Sequence, residues 1–114
     1  MSDVEVRVST EVEDFLEFLP TTLVNEGYKS DFANAVKLVN DIIDFIYTIP
    51  DIPHYSVLPK FEYHFKRYGE NLKYVFFKRQ SSPKTTWYIF FQKYGNRILV
   101  KHISNNWVEG QYIR

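Results

Sequence analysis

Thr86-Trp87-Tyr88-Ile89-Phe90-Phe91-Gln92-Lys93-Tyr94 and Arg97-Ile98-Leu99-Val100-Lys101-His102-Ile103-Ser104 are separated only by Gly95-Asn96. β-Branched and aromatic residues dominate both runs, and a Gly-Asn pair between two such runs is the signature of a tight hairpin. Working back from this hairpin, Leu72 to Arg79 reads as a third strand, joined to it by the polar loop Gln80-Ser81-Ser82-Pro83-Lys84. Before that, Phe61-Glu62-Tyr63-His64-Phe65-Lys66 alternates between apolar and polar residues, and Tyr68-Gly69-Glu70-Asn71 follows with turn residues. The alternation predicts a further strand, so the second half is expected to be an antiparallel meander of four strands.

The first half has a different period. Val4, Val6 and Val8 alternate with Glu5 and Arg7 as a short strand. Thr10 and Glu13 have capping-box spacing, and Val12, Phe15, Leu16 and Leu19 follow at helical spacing. Pro20 is expected to end or kink that helix, with a further helical turn before Gly27. A second helix is expected from about Ser30 to Thr48, with Phe32, Val36, Val39, Ile43 and Ile46 as its buried stripe, widened by Ala35, Ile42 and Phe45, and Pro50 and Pro53 stop it. Strand, two helices, then a meander imply one α+β domain over residues 1–114. The N-terminal strand and helical pair would pack on a four- to five-stranded antiparallel sheet.

Charge divides along the same line. Residues 1–55 carry eleven Asp/Glu and three Lys/Arg, a net of −8, and residues 56–114 carry the reverse, a net of +8. Most of the 21 Phe, Tyr and Trp residues also fall in the basic half. On the third strand, Lys73, Val75, Phe77 and Arg79 alternate with Leu72, Tyr74 and Phe76. One face is thus expected to meet the helices and the other to display cations beside rings, a surface suited to RNA phosphates and unstacked bases. A solvated face that blunts the sheet edges is the plainer reading of the same lysines. There is no Cys, and the three His residues have no metal-ligand spacing, so neither a metal site nor a cofactor is expected. No Gly-rich phosphate loop is present. The opening residues lack a signal-peptide pattern and no apolar run is long enough to span a bilayer, so the expectation is a complete, soluble, cytoplasmic protein without a membrane partner.

Several segments, in order, resemble a known family. Glu11-Val12-Glu13-Asp14-Phe15-Leu16-Glu17-Phe18-Leu19-Pro20 is similar to the opening of the HigB-like branch of the RelE/ParE toxin superfamily. Phe61-Glu62-Tyr63-His64 falls where that branch has an aromatic-Glu-Leu-Arg strand. Leu72-Lys73-Tyr74-Val75-Phe76-Phe77 resembles its Tyr-Arg-containing strand, with Lys73 at the Arg. Asn96-Arg97-Ile98-Leu99-Val100-Lys101-His102 is similar to its last strand, with His102 at the family His. The resemblance covers about residues 4–108. It implies the toxin of a type II toxin–antitoxin system, an mRNA endoribonuclease acting with the ribosome and neutralised by a cognate antitoxin protein.

In such a toxin His102 would act as general acid or base, Lys73 would bind the scissile phosphate, and His64 would assist either role. Lys66, Arg67, Arg79 and Lys101 would make further RNA contacts. Lys73 supplies a point charge where the family Arg supplies a fork. Ile103 also stands at a family Gly, and Ser104, Asn105 and Asn106 replace basic residues. The alternative is therefore a non-catalytic, ParE-like toxin that binds a protein such as gyrase, or an inactive relative. His54, in the Pro-rich loop, is read as structural.

Overall fold

Ser9 adopts an extended backbone and its hydroxyl accepts a hydrogen bond from the Val12 amide, so it caps the first helix. This helix, α1 (Thr10–Asn25), follows β1 (Glu5–Val8) directly. The cap is therefore one residue earlier than the capping box predicts, which moves Glu13 off the position that box requires. In the computed structural model, which describes residues 3–27, 29 and 31–113, α1 also runs through Pro20 rather than stopping there. Val12, Leu16, Leu19, Pro20 and Leu23 form one buried stripe. Burial of Leu23, a turn beyond the proline, offsets the hydrogen bond that Pro20 cannot donate.

The expected start of the second helix at Ser30 lies outside the described residues. The helix itself, α2 (Phe32–Ile46), begins behind Asp31, whose carboxylate accepts from the Asn34 amide at 2.8 Å. Its buried residues are Ala35, Leu38, Val39, Ile42 and Ile46, all within the expected stripe and its margin except Leu38, while Phe32 is exposed.

Five strands form one sheet in the order β1-β5-β4-β3-β2, where β2 is Tyr55–Ser56, β3 Lys73–Lys78, β4 Thr86–Tyr94 and β5 Arg97–Asn105. The sheet is mixed, because β1 runs parallel to β5 while the other neighbours are antiparallel. This corrects the wholly antiparallel expectation: the α1–α2 crossover returns the chain to the far side of the meander.

Residues 61–66 are not a strand. Pro59 opens a helical turn, α3 (Glu62–Phe65) continues it, and a second short turn spans Lys66–Tyr68. Phe65 is buried at helical spacing from Phe61, whereas Tyr63, which the strand pattern would bury with them, is 91% exposed. The apolar positions satisfy both periods over so short a run, and the fixed φ of Pro59 favours the helical one.

Both sheet faces are covered. α1 and α2 pack on one face, where Val75, Ile89, Phe91, Ile98, Val100 and Ile103 complete the larger core. The opposite face carries a second, aromatic core of Val57, Phe65, Leu72, Tyr88 and Phe90, with Tyr68, Tyr74 and Tyr112 packed around it. Lys73 and Arg79 alternate with Tyr74 and so share the helix side with Val75 and Phe77. Arg79 is used there, with its Nε 2.9 Å from Asp41 of α2. The expected open cationic face is thus replaced by rings; Lys78, Lys93 and Arg97 stand at strand ends and the hairpin tip, and Lys101 stands within β5.

Phe90 anchors the second core, fully buried and stacked on Phe65 at 4.6 Å. Phe90→Ala is expected to lower unfolding stability by about 3–5 kcal/mol in urea denaturation. Tyr63→Ala should stay within about 0.5 kcal/mol of the parent.

Candidate functional site

A single extra residue in β5 aims the key histidine. Phe91 pairs with Val100 and Phe90 pairs with His102, so Lys101 is the unpaired residue of a β-bulge. Ile98 and Val100 face the helical layer, and strict alternation would send His102 after them into that core. The bulge resets the alternation, so that His102 joins the aromatic face and Ile103 returns to the larger core. Below the bulge, the Asn105 side chain accepts from the amides of Trp107 and Val108 and caps a last short helix, α4 (Asn106–Glu109). Asn106 bonds the Thr86 amide and the Lys84 carbonyl, and the Trp107 indole donates to Thr85. These bonds fold the chain end back over β5 and bring Glu109 to the sheet.

Glu109 is the centre of the site. Its carboxylate is 4% exposed and accepts from Nε2 of His64 and Nε2 of His102, each at 2.5 Å, one on each oxygen. The buried Ser104 hydroxyl bonds it as well. Burial alone pushes this carboxyl up, but the hydrogen bonds from His102, Ser104 and His64, with the charge of His102, outweigh that and hold it at about 2, below its ordinary 4.5. Each imidazole also lies flat against a tyrosine: His64 on Tyr112 with centroids 3.5 Å apart, and His102 on Tyr68 at 3.7 Å. Desolvation, then the charge of Glu109, raises the Tyr68 phenol above its ordinary 10.0.

With Nε2 committed to the carboxylate, the ring nitrogen left over on each histidine is Nδ1. Neither Nδ1 hydrogen-bonds to a described residue, and neither is sealed from solvent. Both rings line a cavity of about 870 Å³ between α1 and the C-terminal turn, with Phe15, Arg67, Lys101 and Trp107 among its walls. Its lining therefore includes the Glu109 carboxylate and both imidazoles, with Arg67, Arg79 and Lys101 on one hand and the carboxylates Glu11 and Glu26 at the two ends of α1 on the other.

Of the residues singled out from sequence, the structure brings His64 and His102 together and sets Arg67, Arg79 and Lys101 around the same cavity. Arg79 is tied to Asp41, and the Arg67 guanidinium lies 4.9 Å from the Tyr68 ring centroid. Lys66 is exposed just beyond α3. Lys73 is not with the histidines: it sits on the other sheet face, its ammonium 3.4 Å from Ser56 of the edge strand. His54 bonds the Ile49 carbonyl and packs edge-on against Phe91, as a structural histidine does. Among the described residues no group of three or more His, Asp or Glu is placed to hold a metal ion, and no helix is long and apolar enough to cross a membrane.

The sequence reading missed Glu109, Tyr68 and Tyr112. One signal was available: after Glu70, Glu109 is the only Asp or Glu in the chain, and it follows an Asn105-Asn106 capping pair. Comparison with known proteins finds no matching family model, curated relative or solved structure.

Glu109 links the site to acid stability. Its pKa is depressed in the folded chain, so its contribution is complete above about pH 4.5 and is lost as pH falls through about 2. Glu109→Gln is expected to remove about 3 kcal/mol at neutral pH. It should also flatten the decline of stability between pH 4.5 and 2 that is expected of the parent, with denaturant titrations across that range as the measurement.

Proposed function

We propose that this chain is a metal-independent endoribonuclease that cleaves mRNA at the ribosome as the toxin of a RelE/HigB-like toxin–antitoxin pair. The observation that carries the reading is the bridged pair: two histidines fixed by one buried carboxylate, each with Nδ1 left unbonded, lining a cleft that also bears Arg67 and Lys101.

The chemistry follows from tautomers. A neutral imidazole that donates Nε2–H to Glu109 keeps its lone pair on Nδ1, where it can take a proton from the ribose 2′-hydroxyl. A protonated partner carries a proton on Nδ1, which it can give to the departing 5′-oxygen. The 2′-oxygen bonds to phosphorus as the bond from phosphorus to the 5′-oxygen breaks, leaving a 2′,3′-cyclic phosphate and a 5′-hydroxyl. Arg67 and Lys101 would stabilise the equatorial oxygens, a role assigned here to them rather than to Lys73 because they line the cavity. Glu109 acts as a positioning residue: it fixes both tautomers and stabilises whichever ring is protonated, as the carboxylate of a catalytic triad does.

A second reading has its own support. Phe15 and Phe18 of α1, with Trp107 and Val108 of α4, are exposed apolar residues, and Phe15, Trp107 and Val108 wall the same cavity. Such a band suits a protein target, and a non-catalytic toxin would use it without breaking RNA.

Mapping RNA ends after induction separates the two. The first reading expects discrete breaks with 5′-hydroxyl ends that persist in chelator, fall at least about 100-fold in His102→Ala, and vanish on a substrate with 2′-deoxyribose at the cut. Growth arrest with intact RNA would overturn it in favour of a protein target.

A further inference from the structure

A second group of rings stands apart from the histidines. Tyr55 of the edge strand lies 5.7 Å from Tyr74 and 5.5 Å from Phe76, centroid to centroid, in a tilted cluster. Tyr55 is 42% exposed and Phe76 is 50% exposed. Packing alone does not account for an open aromatic pair on a sheet edge, because the second core is closed by Phe61, Phe65 and Tyr68.

Two further observations indicate what covers it. The first is charge: from Asn71 to Val108 the chain has seven Lys/Arg and no Asp or Glu. Among these, Lys78 shares the face of Phe76 two residues on, and Lys73 stands by Ser56 at the same edge. The second is register. Tyr55 pairs with Tyr74, Tyr74 with Phe90, and Phe90 with His102. One cross-strand row of rings thus runs from the exposed cluster to the histidine. Three strand spacings separate its ends, roughly 14 Å. Over its middle sits Phe65, stacked on Phe90 and followed by the exposed Lys66 and Arg67.

We propose that Tyr55, Phe76 and Tyr74 form a stacking platform for unpaired bases of single-stranded RNA, a few nucleotides from the bond at His102, with Lys66 contacting the intervening phosphates and Lys78 a phosphate flanking the platform beyond Phe76. This inference rests on the RNA-cleaving reading above. Stacking is indifferent to base identity, because every base offers a π face, so the platform gives affinity and register rather than sequence choice.

The test uses a single-stranded 2′-O-methyl RNA of roughly eight nucleotides. Its blocked 2′-oxygen prevents cleavage, and fluorescence anisotropy reports affinity. Tyr55→Leu with Phe76→Leu keeps apolar bulk and removes the ring faces, and thermal melting checks that the fold persists. The expected result is a loss of about tenfold or more in affinity, with Tyr55→Phe close to the parent. Lys78→Glu, which leaves the rings in place, should weaken binding and reduce its salt dependence. Equal binding by the parent and the leucine pair would overturn the platform and leave the cleavage reading intact. Ring-dependent binding by a chain that leaves RNA unbroken would do the converse. Self-association abolished by the leucine pair, with RNA affinity unchanged, would assign the rings to a second copy of the chain and overturn the proposal.

Discussion

A carboxylate taken out of water must be met by donors, or the cost of its burial falls on the fold. Glu109 meets that constraint with donors from two segments of the chain: His64 from the helical turn after the Pro-rich loop, and His102 and Ser104 from the last strand. Satisfying it closes the C-terminal turn over the sheet and fixes residues 59–68 on the aromatic face. Tyr112 and Tyr68 then close on the two imidazoles. The second core and the cavity beside it depend on that one group being answered on both oxygens.

The sheet carries a core on each face, so every side chain of the central strands must be sent to the correct side. A nine-residue strand such as β5 does this by alternation until a polar residue falls out of phase. His102 is that residue, and the unpaired Lys101 puts it back in phase. The same bulge frees Lys101 from the ladder and turns it toward the cavity, so one irregularity supplies both an imidazole and a cation.

This division of labour explains which features were legible in the residues. Elements with one unambiguous period were readable: the Gly95-Asn96 hairpin, β3, and the amphipathic α1 and α2, whose apolar stripes differ from expectation only at single positions or in how far they extend. Phe61 to Lys66 was not readable, because Phe61 and Phe65 fit a strand and a helix alike, and tertiary contact with Phe90 and Tyr112 settles the choice. Pro20 misled for the opposite reason, since its local cost is real but smaller than the burial of Leu23 beyond it. In the site, an imidazole is visible from sequence as a residue that can exchange protons. The bulge that aims it and the carboxylate seven residues later leave no periodic trace.

The charge asymmetry has a simpler use than an open basic face. Acid from the first half meets base from the second where helix and sheet meet at the surface, as Asp41 meets Arg79. The one late carboxylate is placed against imidazoles instead of against one of the arginines nearby, and the choice has a chemical consequence. An arginine partner is permanently charged, and the pair would be a static ion pair. Imidazole changes charge near neutral pH, while Glu109, held at about 2, stays an anion throughout that range and does not compete for the proton. One fixed charge therefore orients both rings at once, and the pair it makes with them is the part of the fold whose charge state follows the imidazoles and not the carboxylate.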